Sequence, residues 1–217
     1  MHLSIPTSLI PCAAILLACM PALHAEPTPM EVRRASTQAI MNARQIGLMM
    51  VEFDTDYGSF PNAGTRADVE AATGKKLPAD DKSSNAFFRQ LVLAGIVENE
   101  VLFFASIPGT KKGDNDISAG KVLEKGENAF AYIVGLNTAN GSTPLLLCPL
   151  VPGTTTFDPK PFGGKDVILW TDFSVRALPI ADDGKVLVDG VDILSKDHPV
   201  WKGKAPDIRH PDLLPLK

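Results

Sequence analysis

Residues 29–57 constrain the fold more than any other part of the chain. Val32, Ala35, Ala39, Ile40, Ala43, Ile46, Met50, Phe53 and Tyr57 recur at steps of three or four. That spacing stacks side chains on one face of an α-helix. Arg33, Arg34, Gln38, Asn42, Gln45 and Glu52 fall mostly elsewhere. The segment therefore predicts an amphipathic helix of about seven turns. Its start is marked three times over: Thr28 can cap, Pro29 suits the first helical position, and Glu31 sits where a capping box wants a carboxylate. Gly58 is placed to end it in a left-handed conformation.

The rest of the chain changes character once. Thr65-Arg66-Ala67-Asp68 is a second capping signature, opening a short helix that Gly74 stops. Ser84 is expected to cap a helix over Asn85–Ala94, with Phe87, Phe88, Leu91 and Val92 as its apolar stripe and Gly95 closing it. After Ile96 come short apolar or β-branched runs separated by turn residues: Val101–Ala105, Ala129–Val134, Leu145–Val151, Val167–Trp170, Val175–Ile180 and Lys185–Val188. Asp182-Asp183-Gly184 has hairpin-turn chemistry, and Lys111–Gly120 and Asn137–Thr143 read as surface loops. Helices first and strands second predict an α+β domain over residues 26–196. Residues 197–217, rich in Pro and charge, read as an extended tail crossing the surface.

Met1–Ala25 holds no Asp, Glu, Lys or Arg, carries an apolar run around Ala13–Met20, and ends Ala22-Leu23-His24-Ala25. That layout predicts a cleaved secretory signal over residues 1–25, and Pro11 and Pro21 bracket a run too short to be a retained span. Removing 25 residues from 217 leaves 192, enough for one domain with an ordinary core. Leu16-Leu17-Ala18-Cys19 offers another route, lipid anchoring through Cys19. With Cys12 and Cys19 in the signal, Cys148 is alone and no internal disulfide is possible; flanked by apolar residues, it is expected to be a buried thiol. The net charge of −4 argues against a nucleic-acid groove, which needs clustered cations to displace counterions.

No reactive constellation emerges. His198 and His210 lack metal-ligand spacing and are expected to be solvated in the tail. No GxSxG is present. Asp114-Asn115-Asp116-Ile117-Ser118 begins as a calcium loop begins, but Ala119 and Lys125 stand where the loop needs Gly and Glu, so it reads as a solvated turn. Gly163-Gly164-Lys165 lacks the remaining positions of a phosphate loop. Asp182 and Asp183 are expected in a turn rather than as a catalytic dyad, since adjacent carboxylates in a strand would point to opposite faces and not share a proton. Trp170 is expected in the core and Trp201 as an anchor docking the tail. We therefore assign no catalytic, cofactor-binding or metal-ligating residue, no cofactor and no enzymatic activity.

Two stretches carry a family resemblance. Asn42–Ala63, NARQIGLMMVEFDTDYGSFPNA, resembles the junction of helix and head in type IV pilins and type II secretion pseudopilins. Lys165–Leu178, KDVILWTDFSVRAL, is similar to the hairpin that closes many such heads. The resemblance covers about Met30–Ile180. It implies a pilin-like head, with the long N-terminal helix packed on a C-terminal antiparallel sheet. Pilins also have a peptidase-processed leader and an unbroken apolar helix with an early Glu. Here Pro21, Pro27 and Pro29 interrupt the chain and no acid precedes Glu26, so the polymerising stalk is expected to be missing. The resemblance implies an exported, non-enzymatic protein, periplasmic or secreted, meeting an envelope or secretion-system protein. The alternative is a small-molecule or calcium-binding envelope module on the same fold.

Overall fold

The structure, a computed structural model, describes residues 26–78, 82–118 and 120–216. The expected signal segment, with Cys12 and Cys19, lies outside the described residues, as does Ala119. The domain is α+β: three helices followed by an antiparallel sheet of five strands.

Helix α1, Pro29–Tyr57, begins with the capping box its sequence announces. The Thr28 hydroxyl accepts the Glu31 N–H, while Glu31 accepts the Thr28 N–H at 2.8 Å. Gly58 ends the helix at φ 76°, its N–H donating to the Asp54 carbonyl. Ala39, Ala43, Ile46, Gly47, Met50 and Phe53 are buried, the face that the periodicity picks out. A Cβ on Gly47 would come within 3.0 Å of Leu169 Cδ1, so the absent side chain is what admits that leucine so close to the helix.

Helix α2 is Thr65–Thr73 and α3 is Ser84–Leu93. α2 starts through Asn62, whose Oδ1 accepts the N–H groups of Gly64 and Thr65, while Thr65 itself is the first helical residue. α3 is buried almost all round, as a helix enclosed by other elements must be. Ser84 does not cap it; its hydroxyl donates instead to the Phe130 carbonyl at 2.7 Å.

The run Val101–Ala105 is not a strand. Glu100–Phe103 forms a 3₁₀ turn, opened by the Asn99 side chain accepting the Val101 N–H. From α1 the Asn42 amide donates to the carbonyls of Val101 and Phe104. With those carbonyls taken by a side chain, no neighbouring strand can claim them.

The strands are β1 (Ala131–Ile133), β2 (Pro144–Cys148), β3 (Val167–Trp170), β4 (Val175–Arg176), β5 (Leu187–Val188), β6 (Val191–Asp192) and β7 (Ile208–Arg209). β1 to β4 form a meander, and β7 returns to the free side of β1, giving the order β4-β3-β2-β1-β7. β5 and β6 pair separately. Tyr132 stands opposite both Leu146 and Arg209. Part of the segment read as an extended tail is thus an edge strand.

Both faces of the three central strands are buried, which explains why β1, β2 and β3 are apolar runs. Tyr132, Leu146, Cys148, Val167 and Leu169 join the core that contains α1 and α3. Ala131, Ile133, Leu147, Ile168 and Trp170 join a second core with Phe157, Val186, Ile193 and Trp201. Trp201 is the anchor its setting suggested, its Nε1 donating to the Ile193 carbonyl at 2.6 Å. The Asp182–Gly184 turn forms, with Gly184 at φ 79°.

The α1 face sets a clear contrast between neighbours. Ile46 is fully buried, so Ile46→Asp places an unpaired charge in the core and costs several kcal/mol, enough to unfold a marginally stable domain. Gln45 is exposed, and Gln45→Asp should stay within about 0.5 kcal/mol. Thermal melts of both variants check this; equal melting temperatures would contradict the assignment of faces.

Candidate functional site

The densest charged feature is a group of carboxylates between the 3₁₀ turn and β1. Glu100 comes from that turn, Asp114 from the loop after Lys111, and Glu124 and Glu127 from the segment leading into β1. Asp114, Glu124 and Glu127 each bring one carboxylate oxygen to within 4.8 Å of the others. Glu127 is fully buried, Glu124 partly and Asp114 exposed, so the group runs from the core to the surface.

Local hydrogen bonds hold it in shape. Glu100 Oε1 accepts the Leu123 N–H at 2.6 Å, and Glu127 Oε2 accepts the Glu124 N–H at 2.6 Å. The Asn115 side chain accepts the Glu100 N–H, tying the 111–115 loop over the turn. A Cβ on Gly113 would lie 2.7 Å from the Glu100 Cβ, so only glycine lets the loop close down. Behind these groups Asn85 donates to the carbonyls of Leu123 and Glu124. Asn85 is itself fixed by Asn128, which also donates to Ser84 and Phe130.

Two lysines face the group: Lys111, with Nζ 3.2 Å from Glu127 Oε1 and 3.6 Å from Glu124 Oε2, and Lys121, with Nζ 3.0 Å from Glu124 Oε1. The Glu127 carboxylate beside Lys111 holds that ammonium above the usual lysine range. Burial pushes the Glu100 carboxyl up, the Leu123 N–H opposes this, and the Glu127 and Asp114 charges push it up further. Lys121 holds Glu124 below its usual range through a 3.0 Å contact.

The sequence predicts a solvated turn at Asp114–Ser118 within the surface loop Lys111–Gly120, and assigns no role in a site to Glu100, Lys111, Glu124 or Glu127. Asp116 does form such a turn, accepting the Ser118 N–H and hydroxyl. Asp114 is the member drawn into the group.

The other candidates stay apart. His198 is not solvated as expected; it is buried, its Nδ1 accepting the Val200 N–H at 3.3 Å. His210 is part-buried, and burial lowers its pKa. Asp183 pairs with Lys185 in its turn, and Gly164 donates to the Pro159 carbonyl without forming a phosphate cradle. A cleft of about 670 Å³ lies between the end of β1, the 139–143 loop and the chain after Trp201. Its polar lining includes Asn140, Ser142, Thr143, Lys202, Lys204 and Asp207.

No protein-family model matches this chain, and neither a curated protein nor a solved structure matches it significantly. Among the described residues, no helix is long and apolar enough to cross a membrane.

Cys148 and Asp166 give two predictions. Cys148 is fully buried, and burial followed by the nearby Asp166 charge pushes its thiol well up. Native protein should resist a thiol reagent at neutral pH, and rapid labelling would contradict this. Asp166 is fully buried with Oδ2 unpartnered, while Oδ1 accepts the Leu178 N–H. Burial pushes its carboxyl up to about 7. The folded state therefore binds more protons than the unfolded state between about pH 4 and pH 7. Stability is full below that window and falls as pH rises through it, by roughly 2–4 kcal/mol. In Asp166→Asn that decline should disappear from urea-unfolding data taken at pH 4 to 8; an unchanged slope would assign it to another group.

Proposed function

We propose that this chain is an exported pilin-like head that works by contact with another envelope protein rather than by catalysis, as an accessory of a type II secretion or type IV pilus-type system. The observation that supports it best is the seat of the helix-to-head junction. The 29-residue α1 runs into Tyr57-Gly58-Ser59-Phe60-Pro61, whose Phe60 is fully buried and whose Pro61 carbonyl accepts the Tyr132 hydroxyl of β1 at 2.8 Å. With Gly47 against Leu169, both ends of the resembling stretch then bear on the antiparallel sheet. This is how the resemblance implies that a long helix lies in a pilin head.

Export follows from the charge-free Met1–Ala25 segment, with cleavage before Glu26 and the mature protein periplasmic or secreted. The buried face of α1 is taken up by the domain's own core. Packing that face into a filament would expose Ile46, Met50 and Phe53, each worth about 1.5–3 kcal/mol of burial. Net charge of −4 leaves nucleic acid a poor partner.

In vivo cross-linking followed by mass spectrometry tests the reading, alongside N-terminal sequencing and sedimentation of the exported protein. Expected are cross-links to a pilin, pseudopilin or secretion-platform protein, a mature start at Glu26, and a small non-filamentous species. Filaments, or retention of residues 1–25, would restore a true pilin. Specific turnover of a small substrate would replace the reading with an enzyme.

A further inference from the structure

The cleft of about 670 Å³ is cationic, on a chain whose net charge is −4. Lys202 and Lys204 line it, both exposed and neither in an ion pair among the described residues. Asp207 is the carboxylate of the lining, and it is already neutralised: each of its oxygens accepts an Arg209 N–H at 2.9 Å. Asn140 has its Oδ1 occupied by the Asn137 N–H at 2.7 Å, so its free contribution is the amide N–H pair. The side chains left to meet a ligand are therefore mainly donors, and two of them carry charge.

Both walls are fixed before anything binds. The Thr171 hydroxyl donates to the Asn140 carbonyl at 2.7 Å and accepts the Thr143 N–H at 3.0 Å, which sets the 139–143 loop on the end of β3. Opposite, the Trp201 indole is pinned to the Ile193 carbonyl, and the Lys202 and Lys204 N–H groups donate to the carbonyls of Pro199 and Trp201. Lys202 sits at φ 51°, a left-handed conformation that non-glycine residues seldom take and that a functional constraint can retain. Leu136, Val200 and Trp201 supply an apolar part of the lining. Exposed ion pairs are weak one at a time and screened by salt, so a single free carboxylate gains little here. Several contacts carried on one chain add up, because the second forms at the effective concentration set by the first. None of the exposed large apolar residues lines the cleft, so it has nothing to insert into a bilayer, and two lysines fall short of the cation run that nucleic acid needs.

We propose that this cleft receives an acidic segment of the partner protein, two of its carboxylates facing Lys202 and Lys204 while an apolar side chain lies against Leu136, Val200 and Trp201. The inference rests on the proposed function for the ligand being an envelope protein, and it adds where and by what chemistry that protein is met. Charges at the rim of a contact steer encounter and set specificity more than affinity, so the contact is reversible and salt-sensitive.

A benzophenone amino acid at Ala205, which lines the cleft and is exposed, tests this in cells, with the same probe at the exposed Leu48 of α1 for comparison. The Ala205 probe should form an adduct with an envelope protein, at a peptide rich in Asp and Glu. Lys202→Glu together with Lys204→Glu should cut that adduct roughly ten-fold or more at an unchanged melting temperature, since both positions are exposed, whereas Arg at both should keep it. Purified exported protein should bind poly-L-glutamate at low salt and lose roughly ten-fold in affinity in about 0.5 M sodium chloride. Adducts from Leu48 or by chemical cross-linking, with none from Ala205, would overturn the cleft and leave the proposed function standing. No adduct by any route from exported protein would overturn both. An adduct or poly-L-glutamate binding that survives the charge reversal, no poly-L-glutamate binding at all, or binding to phosphatidylglycerol vesicles that the reversal abolishes would each overturn the acidic segment as occupant.

Discussion

A buried pair of asparagines holds together parts of this chain that no apolar contact could fix in register. Asn128 donates to Ser84 Oγ at 2.8 Å, Asn85 Oδ1 at 3.1 Å and the Phe130 carbonyl, and accepts the Phe130 N–H. Asn85 donates to the Leu123 and Glu124 carbonyls and accepts the Asp212 N–H. The Ser84 N–H donates to the His210 carbonyl. One polar knot at the start of α3 thus joins that helix, the segment carrying Glu124 and Glu127, the entry to β1, and the returning C-terminal strand. Hydrophobic burial is non-directional, whereas each of these bonds tolerates little displacement. With both amides fully buried, removing one partner leaves the others unsatisfied at about 1–3 kcal/mol each.

The sheet shows what the knot makes possible. β1 has only three residues and β7 only two, too short for either to be stable as an isolated pair. Their pairing continues instead through backbone bonds outside the strands: the Val134 N–H donates to the Asp207 carbonyl, the Gly126 N–H to the Asp212 carbonyl and the Leu214 N–H to the Gly109 carbonyl. Leu214 sits directly over Gly109 and Gly126, where any side chain would collide with it. The chain after Trp201 therefore closes an edge that would otherwise offer unpaired backbone groups to other molecules. Both faces of the sheet are then buried, one in each of the two cores.

Elements whose cause is local were legible in the sequence. The capping box at Thr28 and Glu31, the Gly58 stop, the α1 face, the Asp182–Gly184 turn and the buried Cys148 all depend on neighbours within a few positions. Errors arose where a distant partner decided. Val101–Ala105 has strand composition, but Asn42, some sixty positions away, takes its carbonyls. Ser84 has capping chemistry, yet a carbonyl in the sheet entry claims its hydroxyl. The carboxylate group is invisible for the same reason, since Glu100, Asp114 and the Glu124–Glu127 segment come from three separate stretches of the chain. His198 reads as a tail histidine until Trp201 docks and draws it under cover.

If the asparagine pair is what joins these segments, loosening it must release them together. Hydrogen exchange of Asn128→Ala, under conditions where the variant stays folded, measures this directly. The account predicts a joint loss of protection at Ser84, Leu123, Gly126 and Asp212, while the amides in the middle of α1 keep theirs. Loss confined to Phe130, with Gly126 and Asp212 as protected as in the native protein, would contradict it.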